Sequence, residues 1–430
     1  MKGRLQRGHP GDRSRGAARV FVEGVGPTLN SADRARAFAR GALCAFVFLL
    51  LLAPGAGAQS TGGIDNEPGN GGTTALDRPG MWIWYVSKSQ GGDPARIAAR
   101  AHRSGIGTVY IKSGDSDHTW AQFNRPLVAE LKRRGLGVCA WQFVYGNKPF
   151  GEAKVGAASV RRGADCLVID AEGHYEGRYA AADRYIRALR ARIGRDFPLS
   201  LASFPYVDYH PAFPYSVFMG PGGAQYNQPQ MYWRAIGTSV RTVYEHTYLY
   251  NRVFQRPIYP IGQTYGGPTK GELKGFRRFA VSYDRLAPSW WSWQETSRPE
   301  WRALGSAIPG PVANYRPIRR HPVLRRGNKG DLVVWAQMHL VGAGASLPIT
   351  GLFGPKTQAA VRAFQRGHGL AADGVIGQAT WRRLLLVRPQ RPRWSRARSR
   401  RLGRATGAPA VPLSASLAAR GYEIDPGPRP

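Results

Sequence analysis

Two acidic residues separated by one alanine, Asp170 and Glu172, follow the apolar run from Cys166 to Ile169. In a β-strand, side chains two residues apart point to the same face, so we expect both carboxyl groups to project together from the carboxyl end of a strand. Such a pair can perform acid–base chemistry, in which one protonated carboxyl donates to a leaving oxygen and a second group acts as base, nucleophile or stabiliser. The pair is therefore the first candidate for a catalytic site.

The two carboxyl groups are expected to have different roles. Glu172 is the predicted acid, because its side chain extends further and aromatic neighbours raise a carboxyl pKa by excluding water. Asp170 is expected to stay ionised deeper in the fold and to orient Glu172 or the substrate, and Tyr232 is a candidate stabiliser. The alternative is structural, with one residue in a salt bridge and the other exposed on a loop. Three further carboxylates are held in reserve: Asp115, Asp117 and Glu295.

Eight short apolar runs alternate with amphipathic segments and must position these residues. The runs cover residues 81–86, 108–112, 137–145, 166–170, 199–204, 230–233, 257–263 and 289–293. The segments between them carry apolar stripes suited to packing on a sheet. Eight strand–helix units in about 220 residues predict an α/β fold, a (β/α)8 TIM-like barrel, with an open flavodoxin-like sheet as the alternative.

Polar and aromatic residues end many of these runs. In a barrel, the carboxyl ends of the strands surround the active site. Aromatic rings stack on sugar rings, and amides or carboxylates bind hydroxyl groups, so these residues predict a carbohydrate cleft. Aromatic residues of an ordinary core are the alternative. The expected substrate-binding residues are Trp84, Asp115, Trp141, Gln142, Gln263, Trp293 and Glu295.

The C-terminal part contains a degenerate repeat, in residues 351–357 and again in residues 374–380. Each copy offers glycine turns, an apolar plug and a threonine suited to cap a following helix. The segment closely resembles the three-helix peptidoglycan-binding domain found in many wall hydrolases, which implies binding of wall peptide or glycan without catalysis. Gln365 and Asp373 are its candidate ligand residues. The resemblance is carried by residues such as Gly330, Asp331, Gln337, Phe353, Phe364, Gln365, Asp373, Gly374 and Trp381.

The barrel pattern with its Asp-x-Glu motif resembles secreted glycoside hydrolases, particularly the lysozymes of the Chalaropsis type. Those lysozymes carry such a motif on the fourth strand, and residues 166–172 correspond to that strand. The resemblance implies a lysozyme- or muramidase-like enzyme that cleaves glycosidic bonds of peptidoglycan. Those lysozymes also end the first strand with an acidic residue, whereas this chain has Trp84 and Tyr85 there. A non-catalytic wall- or carbohydrate-binding protein with a degenerate barrel therefore remains the alternative.

Two other wall chemistries fit the sequence poorly. A zinc amidase or peptidase needs clustered histidine and carboxylate ligands. A cysteine transpeptidase needs a thiol in a histidine-rich setting, which neither Cys139 nor Cys166 has. Those two cysteines either pair, if their strands are neighbours, or stay buried as thiols. We expect no metal and no organic cofactor. The barrel histidines are single and scattered: His102, His118, His174, His210 and His246.

The start of the chain resembles an export signal. A basic stretch at residues 34–40, an apolar stretch at 41–53 and small residues at 56–58 predict a secretory signal with an extended amino-terminal region over residues 1–58. The remaining divisions are a flexible linker at 59–79, the barrel at 80–306, a Pro/Arg linker at 307–321, the peptidoglycan-binding domain at 322–386 and a basic disordered tail at 387–430.

The chain is strongly basic, with a formal net charge of +34. This charge favours anionic partners, and for an exported protein we expect peptidoglycan and anionic wall polymers rather than nucleic acid. The excess of arginine over lysine, typical of a GC-rich genome, is the alternative origin of the charge. We expect a monomer without a stable membrane span after signal cleavage, secreted and associated with the cell wall.

Overall fold

The computed structural model describes residues 74–284, 286–307 and 310–407 of the 430-residue chain. The predicted signal at residues 1–58 lies outside the described residues, as do residues 59–73 of the predicted linker and the chain after residue 407. Within the described ranges, no helix combines the length and the apolar character that crossing a membrane requires.

The described residues form nine strands and thirteen helices. The strands are β1 Gly80–Ile83, β2 Thr108–Asp115, β3 His118–Thr119, β4 Gly137–Val144, β5 Cys166–Ala171, β6 Leu199–Ser203, β7 Tyr226–Pro229, β8 Ile261–Gln263 and β9 Ser289–Trp291. The helices are α1 Pro94–Arg103, α2 Arg125–Arg133, α3 Pro149–Arg161, α4 Tyr179–Ile193, α5 Tyr215–Phe218, α6 Trp233–Ile236, α7 Val240–Asn251, α8 Lys270–Tyr283, α9 Arg298–Leu304, α10 Asp331–Gly342, α11 Pro355–Gly367, α12 Gln378–Leu384 and α13 Arg396–Thr406.

Several barrel helices begin at side chains that satisfy the free backbone N–H groups of the first turn. Asp93 accepts from the backbone N–H of Ala95 at 2.8 Å at the start of α1. At α8, Thr269 and Glu272 form a reciprocal capping box. A Ser or Thr followed three residues later by Glu is a helix-start signal that can be read from sequence.

Eight parallel strands build the barrel in the order β7, β6, β5, β4, β2, β1, β9, β8, and β3 adds a short hairpin to β2. Parallel bridges from Asn227 to Ile258 and from Gln230 to Ile261 bring β7 beside β8, so the sheet is nearly closed. The predicted (β/α)8 TIM-like barrel is confirmed, and the open-sheet alternative is wrong.

One strand differs in position from its prediction. The sixth barrel strand is β7, residues 226–229, whereas the sequence analysis placed it at residues 230–233. The sequence analysis missed β7 because some of its residues are polar. Asn227, for example, points outward and donates to Asn251 of α7 at 2.8 Å. A buried polar pair of this kind interrupts the apolar run on which the prediction depended.

Strand alternation separates an outer layer, which packs against the helices, from an inner layer rich in aromatic residues. On β5, Leu167 and Ile169 pack against the helices, whereas Cys166 and Val168 point into the barrel. Cys139 and Cys166 are directly paired in the register of β4 and β5 and form a disulfide, with Cα atoms 4.6 Å apart. The pairing that the sequence left open is therefore present. The inner layer contains Trp82, Tyr110, Trp141, Tyr226 and Tyr259.

The C-terminal module consists of α10, α11 and α12, and two buried glutamines reproduce its internal repeat. Gln337 donates to Thr357 Oγ1 at 2.9 Å and accepts from the N–H of Gly351 at 3.0 Å. Gln365 makes the same contacts one repeat later, with Thr380 at 3.0 Å and with Gly374 at 2.9 Å. Gln365 is therefore a buried structural residue, not the exposed ligand residue that the sequence analysis expected.

Residues 387–407, which the sequence analysis assigned to a disordered tail, pack against the rest of the described chain. Trp394 stacks on Tyr179 of α4 with ring centroids 4.9 Å apart, and Leu402 of α13 is buried. The predicted disorder is wrong for these residues, because two well-placed apolar side chains anchor a segment whose average composition is very polar. The predicted linker at 307–321 also contacts the barrel, with the Tyr315 hydroxyl 2.6 Å from that of Tyr283.

Candidate active site at the barrel mouth

Asp170 and Glu172 lie on the inner face of the barrel at the carboxyl end of β5. Asp170 has the same orientation as Cys166 and Val168, and Glu172 continues this alternation in extended backbone. The side-chain amide of Gln230 donates to Asp170 Oδ1 at 3.1 Å and to Glu172 Oε1 at 3.0 Å. The structure therefore brings both carboxyl groups to one amide.

The surroundings of the pair favour protonated carboxyl groups. Burial raises the pKa of Asp170 well above its usual range, the Glu172 charge adds to this, and Lys112 opposes it. Burial also raises the pKa of Glu172, against the hydrogen bond from Gln230 and the charge of His210. Two close buried carboxyl groups resist losing both protons, so the pair retains one proton over a wide pH range.

The two carboxyl groups lie at different depths. Asp170 is only 4% exposed, whereas Glu172 is half-buried. Burial raises the pKa of both groups, because it makes the charged form of a carboxyl group more costly. Glu172 remains the member closer to solvent and to any ligand.

A buried lysine lies beside the pair. Lys112 of β2 is 2% exposed, and its ammonium group lies 4.3 Å from the ring centroid of Trp84 and 4.5 Å from that of Trp120. It pairs with Asp115 at 2.8 Å. Asp115 is therefore at the mouth, as expected, but as the partner of a cation. An aromatic cage of this kind stabilises a positive charge where water is excluded.

Tryptophans form one wall of the mouth. Trp84 and Trp291 are half-buried and pack edge-to-face at 5.7 Å, with Trp141 buried beneath them at 5.7 and 5.4 Å. Trp291, which the sequence analysis missed, therefore occupies the place expected for Trp293. Trp293 instead packs against Trp301 of α9 in the outer layer. Because β9 ends at Trp291, Trp293 lies beyond the strand and does not follow its alternation.

Gln142 is also turned away from the mouth. It follows Trp141 on β4 and so points outward, where its amide donates to the carbonyl of Glu152 in α3 at 2.9 Å. Gln263 uses its amide at the base of a mouth loop, accepting from the N–H of Arg234 at 2.8 Å and donating to the carbonyl of Tyr265 at 2.9 Å. Both glutamine side chains hydrogen-bond to backbone groups instead of offering free amides to a ligand.

Tyr232 and Glu295 border the pair from other strands. Tyr232 follows β7 and packs against the inner layer of the barrel, and burial raises its pKa, with the charges of Tyr265, Asp170 and Glu172 adding to the rise. Glu295 is exposed and accepts from Ser292 Oγ at 2.8 Å. Asp117, a reserve carboxylate, pairs with Lys148 at 2.9 Å at the surface.

Other polar groups near the mouth are already engaged. The Nδ1 atom of His210 lies 2.8 Å from Glu176, and its ring stacks on Phe204. In the parts of the chain that the structure describes, no group of three or more His, Cys, Asp or Glu side chains is arranged to hold a metal ion. Gln230 and Trp291 are the site residues that the sequence analysis missed.

Comparison with known proteins identifies the C-terminal module. Residues 329–384 match the family described as "Putative peptidoglycan binding domain". The chain is 45% identical over 64 residues to the zinc D-Ala-D-Ala carboxypeptidase of Streptomyces albus G, an alignment that covers 14% of this chain and 25% of that protein. The chain thus spans a quarter of that relative's length. The predicted peptidoglycan-binding domain is confirmed.

The barrel is similar to solved structures at low identity. A class V chitinase from Pseudomonas fluorescens Pf-5 is 12% identical with a TM-score of 0.40, covering 53% of this chain and 98% of the chitinase. An endo-β-1,4-mannanase from Thermotoga petrophila is 8% identical with a TM-score of 0.39, covering 54% of this chain and 76% of the mannanase. The barrel assignment itself rests on the strand order of this chain. The molecule is a TIM-like barrel joined to a peptidoglycan-binding domain.

Proposed function

We propose that the protein is a secreted glycoside hydrolase that cleaves glycosidic bonds of peptidoglycan. The barrel, residues 80–306, is the catalytic domain, and the module, residues 322–386, holds the enzyme on the wall. The observation that carries the proposal is the Asp170–Glu172 pair, which lies inside the barrel mouth beside a tryptophan wall and is bonded to one amide. A raised carboxyl pKa at the mouth of the barrel is what a general acid for glycoside cleavage requires.

In the proposed reaction, Glu172 donates its proton to the glycosidic oxygen while the bond from that oxygen to the sugar carbon breaks. The half-buried position of Glu172 lets it face the substrate, and in the proposed reaction the pair holds one proton, which lies on Glu172 when the glycosidic bond breaks. Gln230 fixes both carboxyl groups through its amide.

The second half of the reaction needs a nucleophile, and we propose the acetamido group of the substrate. Peptidoglycan sugars carry this group on the carbon next to the reacting one, and its oxygen attacks that carbon as the glycosidic bond breaks. Water then opens the resulting ring, with Glu172 as the base that takes the water's proton. Such substrate-assisted cleavage needs no separate protein nucleophile. This route agrees with a first strand that ends in Trp84 and Tyr85 instead of an acid.

The disulfide supports the proposed location. Cys139 and Cys166 are bonded inside the barrel, and disulfides persist in oxidising compartments outside the cytoplasm. The peptidoglycan-binding domain supports the same location.

The proposal is tested by digesting purified peptidoglycan and identifying the new chain ends by mass. Glu172→Gln keeps the shape of the side chain and removes the acid, so we expect product release to fall by about 10²- to 10⁴-fold. Glu245→Gln is the matched control, because Glu245 lies on α7 and pairs with Arg241 at the surface. Both variants should sediment with the wall as the parent does. Equal release by Glu172→Gln would remove Glu172 from the mechanism.

A non-catalytic wall-binding protein is the second candidate function. The observation in its favour is the missing acid at the end of the first strand. It predicts that the parent protein sediments with peptidoglycan but releases no new chain ends in the same digest.

A further inference from the structure

Helix α13 is fixed to the barrel by one of its faces. Ser399 Oγ donates to the carbonyl of Gly177 at 2.8 Å and accepts from the N–H of Ala180 at 3.3 Å. Leu402 and Thr406 are buried on the same face. Because these positions are three to four residues apart, one side of the helix meets the protein and the other is left to solvent.

The solvent side of α13 is lined with arginine. Arg396, Arg400 and Arg404 recur every four residues, with Arg393 and Arg401 beside them, and all five are exposed. The sequence contains no Asp or Glu between residues 374 and 422. In the described part of the chain, none of the five makes an ion pair. We call these five residues the arginine face.

Several exposed arginines on the barrel have acidic partners. Arg96 pairs with Asp93 at 3.7 Å, and Arg241 pairs with Glu245 at 2.8 Å. Arg133 of α2 likewise pairs with an acidic neighbour. The five residues of the arginine face have no such partner in the described part of the chain, so no nearby carboxylate offsets their charge.

We propose that the arginine face of α13 is a docking surface for the phosphodiester-linked anionic polymers of the cell wall. Arginines four residues apart rise about 6 Å along a helix, so a flexible chain can bring successive phosphates to successive guanidinium groups. Each guanidinium binds phosphate oxygens with two parallel hydrogen bonds. The inference rests on the proposed location at the wall, and it adds a second wall ligand to the one bound by the module.

Hydrogen bonds from the residues just before α13 fix the position of the arginine face. Arg391, just before α13, donates to Asp183 of α4 at 2.9 Å, and the N–H of Gln390 donates to the carbonyl of Met338 in the module at 2.9 Å. The arginine face is thus held next to both the barrel and the peptidoglycan-binding module, where peptidoglycan and an attached anionic polymer can be bound together.

The test measures binding of the full chain to soluble poly(glycerol phosphate) over a range of salt concentrations. The variant replaces Arg396, Arg400 and Arg404 by glutamine, which preserves helix propensity. We expect affinity at low salt to fall about tenfold or more, with a shallower salt dependence, because three charges that release counterions are lost. The control replaces Arg96, Arg133 and Arg241 by glutamine, which removes the same charge from paired sites and should bind like the parent.

Separate measurements keep this result independent of the proposed activity. Both variants should retain binding to peptidoglycan stripped of phosphate polymers, and circular dichroism should show unchanged helix content. Equal loss of polymer binding in the two triple variants would overturn the proposal, as would tighter binding of the parent to duplex DNA or to anionic vesicles than to the polymer. Failure of peptidoglycan hydrolysis, by contrast, affects only the proposed function.

Discussion

Asp331 lies at the contact between the module and the barrel, and Asp170 lies at the barrel mouth. Both aspartates are buried, but they differ in how many hydrogen-bond donors each carboxyl group has. Asp331, the first residue of α10, is fully buried against α5. Its Oδ1 accepts from Ser216 Oγ at 2.6 Å, and its Oδ2 accepts from the N–H of Ser216 at 2.7 Å. At the mouth, Asp170 shares the single amide of Gln230 with a second carboxyl group.

The difference separates a carboxyl group that holds the structure together from one that is poised for chemistry. Each oxygen of Asp331 has its own donor, so this carboxyl group strengthens a contact between domains. Asp170 and Glu172 have fewer donors than acceptors and repel each other when ionised. Groups whose pKa is raised by burial together with a like charge in a cleft are candidates for catalysis, and local conflicts of this kind concentrate at functional sites.

Of the two aspartates, Asp170 gives the larger expected effect, through the proposed activity. Asp170→Asn keeps the shape of the side chain but removes the second carboxyl group, so we expect peptidoglycan hydrolysis to fall by about 10²-fold, with the high-pH limit of the rate moved to lower pH. The same variant should be more stable to urea than the parent at pH 8, because a buried carboxyl group with a raised pKa costs the folded parent stability once the unfolded chain is ionised.

Loss of activity together with loss of stability in Asp170→Asn would contradict this assignment. It would place Asp170 with Asp331 as a structural residue. Glu245→Gln again serves as the control for the removal of one acidic group from the surface.

Asp331→Ala should lower stability, the reverse of the effect of Asp170→Asn. The substitution leaves the N–H of Ser216 buried without an acceptor, so we expect the free energy of unfolding to fall by about 1–3 kcal/mol. Urea unfolding monitored by tryptophan fluorescence measures this loss. Asp331→Asn, which retains an acceptor, should lose less. An unfolding curve for Asp331→Ala that coincides with that of the parent would show that this contact contributes nothing to stability.

The same carboxyl group should also make stability depend on pH. Burial raises the pKa of Asp331 from an ordinary value of 3.8 to about 7. Between these values the folded protein holds a proton that the unfolded chain has released, so stability should fall as pH rises from about 4 to 7, by at most about 1.4 kcal/mol per pH unit. Asp331→Asn should flatten this slope in urea titrations, and an unchanged slope would show that other groups control it.

The sequence was informative where a periodic pattern coincided with a buried face. It predicted the barrel because Leu167 and Ile169 pack outward while Asp170 points inward, as strand alternation requires. It predicted the module because turn glycines and core positions recur, and the structure shows that Gln337 and Gln365 repeat the same contacts.

The sequence-based prediction failed where strand register or contacts between distant residues decide which side chains reach the site. Trp291 and Trp293 are indistinguishable by composition, and only the position of β9 turns the first inward. Gln230 became a site residue because the barrel brings the end of β7, two strands away from β5 in the sheet, within hydrogen-bond reach of Asp170 and Glu172, which no local pattern contains. The order of α13 depends on Trp394 finding Tyr179, a contact between residues that lie far apart in the sequence.

The smallest predicted effect is that of Ser216→Ala, which removes one of the two bonds to Asp331. The backbone N–H still donates to Oδ2, so we expect the free energy of unfolding to fall by only about 1 kcal/mol. The lost hydroxyl also favoured the ionised form, so the pKa of Asp331 should rise further and the fall of stability with pH should extend to higher pH. In Asp331→Asn, the serine substitution should no longer alter the pH slope. If it does, the slope arises from a different group, and Asp331 and Asp170 do not differ in the way that their hydrogen bonds indicate.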